Sequence, residues 1–138
     1  MRNKIAQIIL LSLPLIMFIG GGRVFAQAQL GSDIDGEATG DQSGMRVVMD
    51  SDGSHVAIGA YLNDGTTGTL NDNRGHVRVY EYSGSSWSQV GNDIDGEAAG
   101  DESGMDVAMD SDGSHVAIGA GYNDGGPGDD AGHVRVYE

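Results

Sequence analysis

The 138-residue sequence predicts an all-β fold of short antiparallel strands, and three observations carry that prediction. A thirty-residue segment recurs almost verbatim at an offset of 60. Apolar residues within it alternate with polar ones at period two, the signature of a half-buried strand. The intervening stretches are rich in Gly, Asp, Asn and Ser, the residues of turns.

Residues 31–60 read GSDIDGEATGDQSGMRVVMDSDGSHVAIGA, and residues 91–120 read GNDIDGEAAGDESGMDVAMDSDGSHVAIGA. The copies differ only at the pairs 32/92, 39/99, 42/102, 46/106 and 48/108. GHVRVYE then recurs at 75–81 and 132–138, at offset 57, because the segment after VAIGA is three residues shorter in the second copy. A length change confined to a Gly/Asn/Asp-rich stretch marks a loop. Repeats of this size are stacked supersecondary units, each needing neighbours to bury its faces.

Taken in chain order, residues 1–26 read as a secretory signal peptide. Arg2 and Lys4 precede an apolar run, Ile5 to Ile19, that is short for a bilayer span, and Val24-Phe25-Ala26 offers a small-residue cut. No Cys follows the run, so no lipid anchor is expected, and the chain contains no Cys anywhere to form disulfides. In the repeat, Met45 to Met49 is the first strand, with Met45, Val47 and Met49 on one face. Asp50-Ser51-Asp52-Gly53 is a hairpin turn whose Gly supplies positive φ. His55 to Ala60 is the second strand and His76 to Tyr82 the third, with Val77 and Val79 opposite His76, Arg78, Tyr80 and Tyr82. After Ser83-Gly84-Ser85-Ser86, a fourth strand runs from Trp87 to Ile94. Ala28 to Ile34 matches Ser88 to Ile94, so an outer strand is expected to open the mature chain. No 3.6-residue period follows the signal, so helix should be scarce.

Four antiparallel strands per sixty residues is the pattern of a propeller blade. The chain supplies about two blades, with repeat 1 at about 31–90 and repeat 2 at about 91–138. Propellers need at least four, so the expectation is an incomplete propeller: a fragment of a longer one, or a unit that assembles with other copies.

Composition pulls the other way. All 21 acidic residues but only four of the seven basic ones lie after residue 26, giving those 112 residues a charge of −17. Val, Ile, Leu and Phe make up 17 of the 112, near 15%, a proportion typical of disordered chains. The periodic placement of those few residues in strands is the reason to expect folding. The charge makes nucleic acid and anionic membranes poor partners, and no membrane span is expected once the signal is removed.

Three segments in each copy resemble the FG-GAP repeats of bacterial secreted proteins, which are similar to the β-propeller of integrin α subunits. Gly40-Asp41-Gln42-Ser43-Gly44 and Gly100-Asp101-Glu102-Ser103-Gly104 match the first part of that pattern, with Ser in place of Phe. Ala57-Ile58-Gly59-Ala60 and Ala117-Ile118-Gly119-Ala120 match the second, followed by Tyr61 and Gly121 instead of Pro. Gly75-His76-Val77-Arg78-Val79-Tyr80 and Gly132-His133-Val134-Arg135-Val136-Tyr137 match the third. The resemblance implies an extracellular or cell-surface propeller used for adhesion or ligand binding, without inherent catalysis. It also implies calcium in the first hairpin, but Asp50-Ser51-Asp52-Gly53 and Asp110-Ser111-Asp112-Gly113 run into Ser-His where a further acidic ligand is needed. Calcium takes six to eight oxygens, so these Asp are expected to form turns.

The densest carboxylates are Asp33, Asp35, Glu37 and Asp41, repeated as Asp93, Asp95, Glu97 and Asp101. Grouped around Gly, they are the residues a calcium ion would use if any do; a solvated acidic loop is the plainer account of them. His55, His76, His115 and His133 occupy equivalent strand positions in the two copies, as structural side chains would. Neighbouring strand residues point to opposite faces, so Ser54-His55 is not read as a catalytic pair. The expected function is a non-enzymatic secreted or surface module binding protein or glycan. The alternatives are a self-assembling structural repeat and the non-catalytic part of a propeller-containing enzyme.

Overall fold

The alternation of apolar residues is realised in eight short strands. A computed structural model describes residues 28–67, 69–125 and 129–138; the signal segment expected at 1–26 lies outside them. In order the strands are β1 (Arg46–Met49), β2 (His55–Ala60), β3 (His76–Tyr82), β4 (Trp87–Gln89), β5 (Ile94–Asp95), β6 (Asp106–Met109), β7 (Val116–Ala120) and β8 (His133–Tyr137). The helical content of the described residues is a single 3-10 turn at Gly65–Thr67. None of their helices is long and apolar enough to cross a membrane.

Two antiparallel sheets result. The first has five strands in the order β1-β2-β3-β4, with β5 also on β3; the second is β6-β7-β8. The β1–β2 hairpin turns at Gly53, whose φ of 79° is in the region glycine enters without strain. Gly113 repeats the conformation at 74°.

The fourth strand is not continuous from Trp87 to Ile94. β4 pairs Gln89 with Tyr80, and β5 pairs Ile94 with Val77. Four residues therefore lie opposite two, and the excess bulges out at Val90 to Asp93, with Gly91 at φ 71°. Ala28 to Ile34 does not form the expected opening strand either. That segment lies on the first sheet: the Trp87 indole N–H donates to the Leu30 carbonyl at 2.9 Å, and Ile34 packs with Val56, Ile58 and Tyr80. Among the described residues no sheet closes, and no fourth strand pairs with β8.

Directly opposed residues of antiparallel strands share a face. Register therefore places Val47, Met49, Val56, Ile58, Arg78 and Tyr80 on one face of the first sheet and Val48, Ala57, Val77 and Val79 on the other. In the second sheet, Val107, Met109, Val116, Ile118 and Tyr137 correspond to the first of these faces. They pack against the opposite face of the first sheet, around Ala57, Val77 and Ile94. The stacking is head to tail. Val77 and Ile118 are fully buried in it, and each such side chain contributes about 1.5–3 kcal/mol of transfer free energy.

Two backbone seams fix the stack. At one end residues 72–75 run beside 96–103, with Ser103 N–H donating to the Arg74 carbonyl at 2.9 Å and Gly96 N–H to Gly75 at 2.8 Å. At the other, both the Ser51 N–H and its hydroxyl donate to the Ser111 carbonyl. Part of each outer face stays open. Val47 is 57% exposed at one end of the stack, and Val134 and Val136 are 67% and 65% exposed at the other.

Candidate functional site

Each first hairpin is tied by its own aspartate. Asp50 accepts the Ser54 N–H, the Ser54 hydroxyl, the His55 N–H and the His55 ring at Nδ1, all within 2.8–3.0 Å. Asp52 accepts the Ser54 N–H as well, at 2.9 Å. Asp110 accepts the Ser114 hydroxyl and the His115 N–H and ring, while the Ser114 N–H donates to Asp112. Turn formation thus occupies these carboxylates. Ser54 and His55 do meet, at 3.0 Å, because Ser54 still belongs to the turn and escapes the alternation of β2. The meeting is not a proton relay: the hydroxyl and the Asp50 carboxylate contact the same ring nitrogen, whereas a relay needs one on each.

Burial alone raises the Asp50 carboxyl, but the hydrogen bonds from His55 and Ser54 outweigh it and hold it well below the usual carboxylate range. At Asp110 the His115 N–H and ring have the same effect. The hydrogen bond to Asp110 in turn raises His115 above its ordinary value. Asp110, depressed in the fold, stabilises above the ordinary carboxylate pKa of about 3.9 and loses that contribution as pH falls below it. His115, raised, stabilises fully below about 6.5 and loses its contribution as pH rises through its folded value. His115→Gln is therefore expected to flatten the alkaline flank of a thermal-midpoint-versus-pH profile and weaken the acid one. An unchanged profile would remove the pair from the pH response.

The eight carboxylates expected to attract calcium take several separate roles. Asp41 accepts the Ala38 N–H at 3.0 Å and the Asn63 amide at 2.9 Å. Asp101 accepts the Glu97 and Ala98 N–H groups and the Asn123 amide, at 2.9–3.1 Å. Both pairs are buried, and Asn63 and Asn123 extend them by accepting Gly65 and Gly125 N–H groups. Asp33 and Asp93 each accept a glutamine four residues upstream. Asp35 and Asp95 offer backbone carbonyls to Arg78 and Arg135. Glu37 and Glu97 reach the His and Arg of the third strands, with His76 Nδ1 3.8 Å and Arg78 Nη1 3.8 Å from Glu37, and His133 Nδ1 3.6 Å from Glu97. Among the described residues, no three of the eight bring ligand atoms within 4.8 Å of one another.

A different trio does. Glu37, His76 and Asp93 place their ligand atoms within 4.8 Å of one another. Asp93 enters because the bulge between β4 and β5 carries it back over β3. Burial pushes the His76 imidazole below its ordinary pKa, against the opposing pull of Asp93, Glu37 and Asp95. Beside the trio lies an open cleft of about 430 Å³, lined by Glu37, Gln89, Asn92, Asp93 and Asp95. The sequence reading named Glu37 and Asp93 as candidate ligands but took His76, 39 positions beyond Glu37, as a structural side chain. It also passed over Asn63 and Asn123, although Asn-Asp-Gly is retained in both copies of a loop whose length changes.

Comparison with known protein families, with curated proteins and with solved structures returns no match.

Proposed function

We propose that the chain is an exported, non-catalytic β-propeller repeat module of the FG-GAP kind, binding protein or glycan partners through its acidic loops. One observation carries the propeller part: the second sheet seats on the first by the face equivalent to the one the first leaves open. Head-to-tail packing of equivalent sheets can continue indefinitely, and it closes into a ring when the rotation per step allows. The open faces, Val47 and Met49 at one end and Val134 and Val136 at the other, carry the same kinds of residue that meet inside the stack. Further blades, in cis or from other copies, would cover them.

The binding part rests on where the charge lies. Strands hold the apolar residues and the loops hold the carboxylates, so a partner meets a polar, acidic rim. Such a surface suits basic or neutral protein segments and glycans, and repels polyanions.

Light scattering on the purified exported chain is expected to give an assembly of at least two chains, enough for four blades. Changing Val134 and Val136 together to Lys should return it to a folded monomer. A native monomer for the unmodified chain would overturn completion by other copies. Binding is then read from arrays of glycans and extracellular proteins; saturable binding supports the module, and a blank array with an intact assembly leaves the self-assembling structural repeat.

A further inference from the structure

We propose that Glu37, His76 and Asp93 bind a divalent transition metal, for which zinc is the probe. The inference is independent of the propeller reading and differs from calcium in the acidic loops, since one donor is a nitrogen.

The first argument is distance. Zinc bonds to His N and carboxylate O at about 2.0–2.2 Å, so tetrahedral donors sit roughly 3.4 Å apart. The trio's ligand atoms already lie within 4.8 Å of one another. The half-exposed Glu37 side chain can close that gap by rotation.

The second argument is the histidine. Its side chain is 2% exposed, and it makes no hydrogen bond among the described residues. Its ion-pair partner, Glu37 Oε2, is 3.8 Å from Nδ1, beyond hydrogen-bond reach. A cation between the ring and the two carboxylates would draw all three donors into bonding distance. Burial also favours the neutral ring, the form that coordinates a metal.

The third argument is access and composition. The adjoining cleft gives a path from solvent and room for a water as fourth ligand. A set of one imidazole and two carboxylates suits zinc and its neighbours, whereas calcium asks for six to eight oxygens. Two negative charges balance the ion. Arg78, 3.8 Å from Glu37 Oε1, holds that carboxylate until the metal draws it inward. The second sheet provides a built-in control. His133 and Glu97 repeat two of the donors, but no counterpart of Asp93 stands beside them among the described residues.

Titration calorimetry of the chelator-stripped, purified chain with zinc chloride tests the site. One zinc per chain is expected, with Glu37→Gln and Asp93→Asn each weakening binding at least tenfold and His133→Gln leaving it unchanged. Both weakening changes are on the solvent side, and far-UV circular dichroism checks that they fold. His76→Gln is read separately, as loss of the visible spectrum of the cobalt-loaded chain. No stoichiometric zinc, variants that bind like the parent, or displacement by millimolar calcium would each overturn the assignment.

Discussion

Gly59→Ala is expected to lower stability by about 3 kcal/mol or more, whereas Gly119→Ala should stay within about 1 kcal/mol of the parent. The two glycines are equivalent in the repeat and both have ordinary backbone angles, so only their surroundings differ. A Cβ on Gly59 would stand 2.3 Å from the Gly104 carbonyl oxygen, in the loop that leads into the second sheet. Backbone on both sides of the contact cannot move without separating β2 from that loop. At Gly119 the nearest atoms are 3.6 Å away, an ordinary contact, because that face of the second sheet is open. Urea midpoints of the two variants, measured side by side, read out the stacking itself. Equal effects would mean that the sheets do not pack as described.

Asp101→Ala carries the second large expectation, a loss of about 3 kcal/mol. The residue is 2% exposed, and one carboxylate oxygen accepts two backbone N–H groups and the Asn123 amide. Removing the acceptor leaves three donors in or near the interior, and each unpaired buried group costs on the order of 1–3 kcal/mol. Local rearrangement and water recover part of that sum. Asp41→Ala should cost less, since Asp41 carries only the Ala38 N–H and the Asn63 amide. The same denaturation experiment ranks the two, with Asn123→Ala predicted to lie between the parent and Asp101→Ala. A neutral Asp101→Ala would mean that the carboxylate does not organise its loop.

Both expectations bear on what the sequence made legible. Period two and the near-identical copies were sufficient for β1, β2, β3 and their counterparts, because alternation and turn chemistry are local properties. The sequence reading ran β4 and β5 together across Val90-Gly91-Asn92-Asp93. Whether two surplus residues bulge is decided by the partner β3. Which face of β1 turns inward was not legible either: Met45, Val47 and Met49 share a face in both readings, but that face points outward here and Val48 fills the core. The neighbour that makes the difference is the second sheet. At the candidate sites, residue type pointed to carboxylates, and the fold then spent Asp41 and Asp101 on loop closure. Among the described residues it assembled a compact trio from Glu37, His76 and Asp93, which come from three separate segments, a juxtaposition that no local pattern encodes.

The Arg46–Asp106 contact, Nε to Oδ1 at 3.4 Å with a further bond from Arg46 to the Met105 carbonyl at 3.0 Å, spans the stack at one of only five positions where the copies differ. Both side chains are well exposed, so the pair adds little to stability. Its significance is informational. Two arginines or two aspartates at that joint would face each other with like charge, whereas one of each marks which unit precedes and which follows. Val48 against Ala108, the large residue inside the stack and the small one outside it, adds the same mark in volume. A chain of nearly interchangeable units thus carries its own reading frame, and a slip by one unit would set like charges against each other.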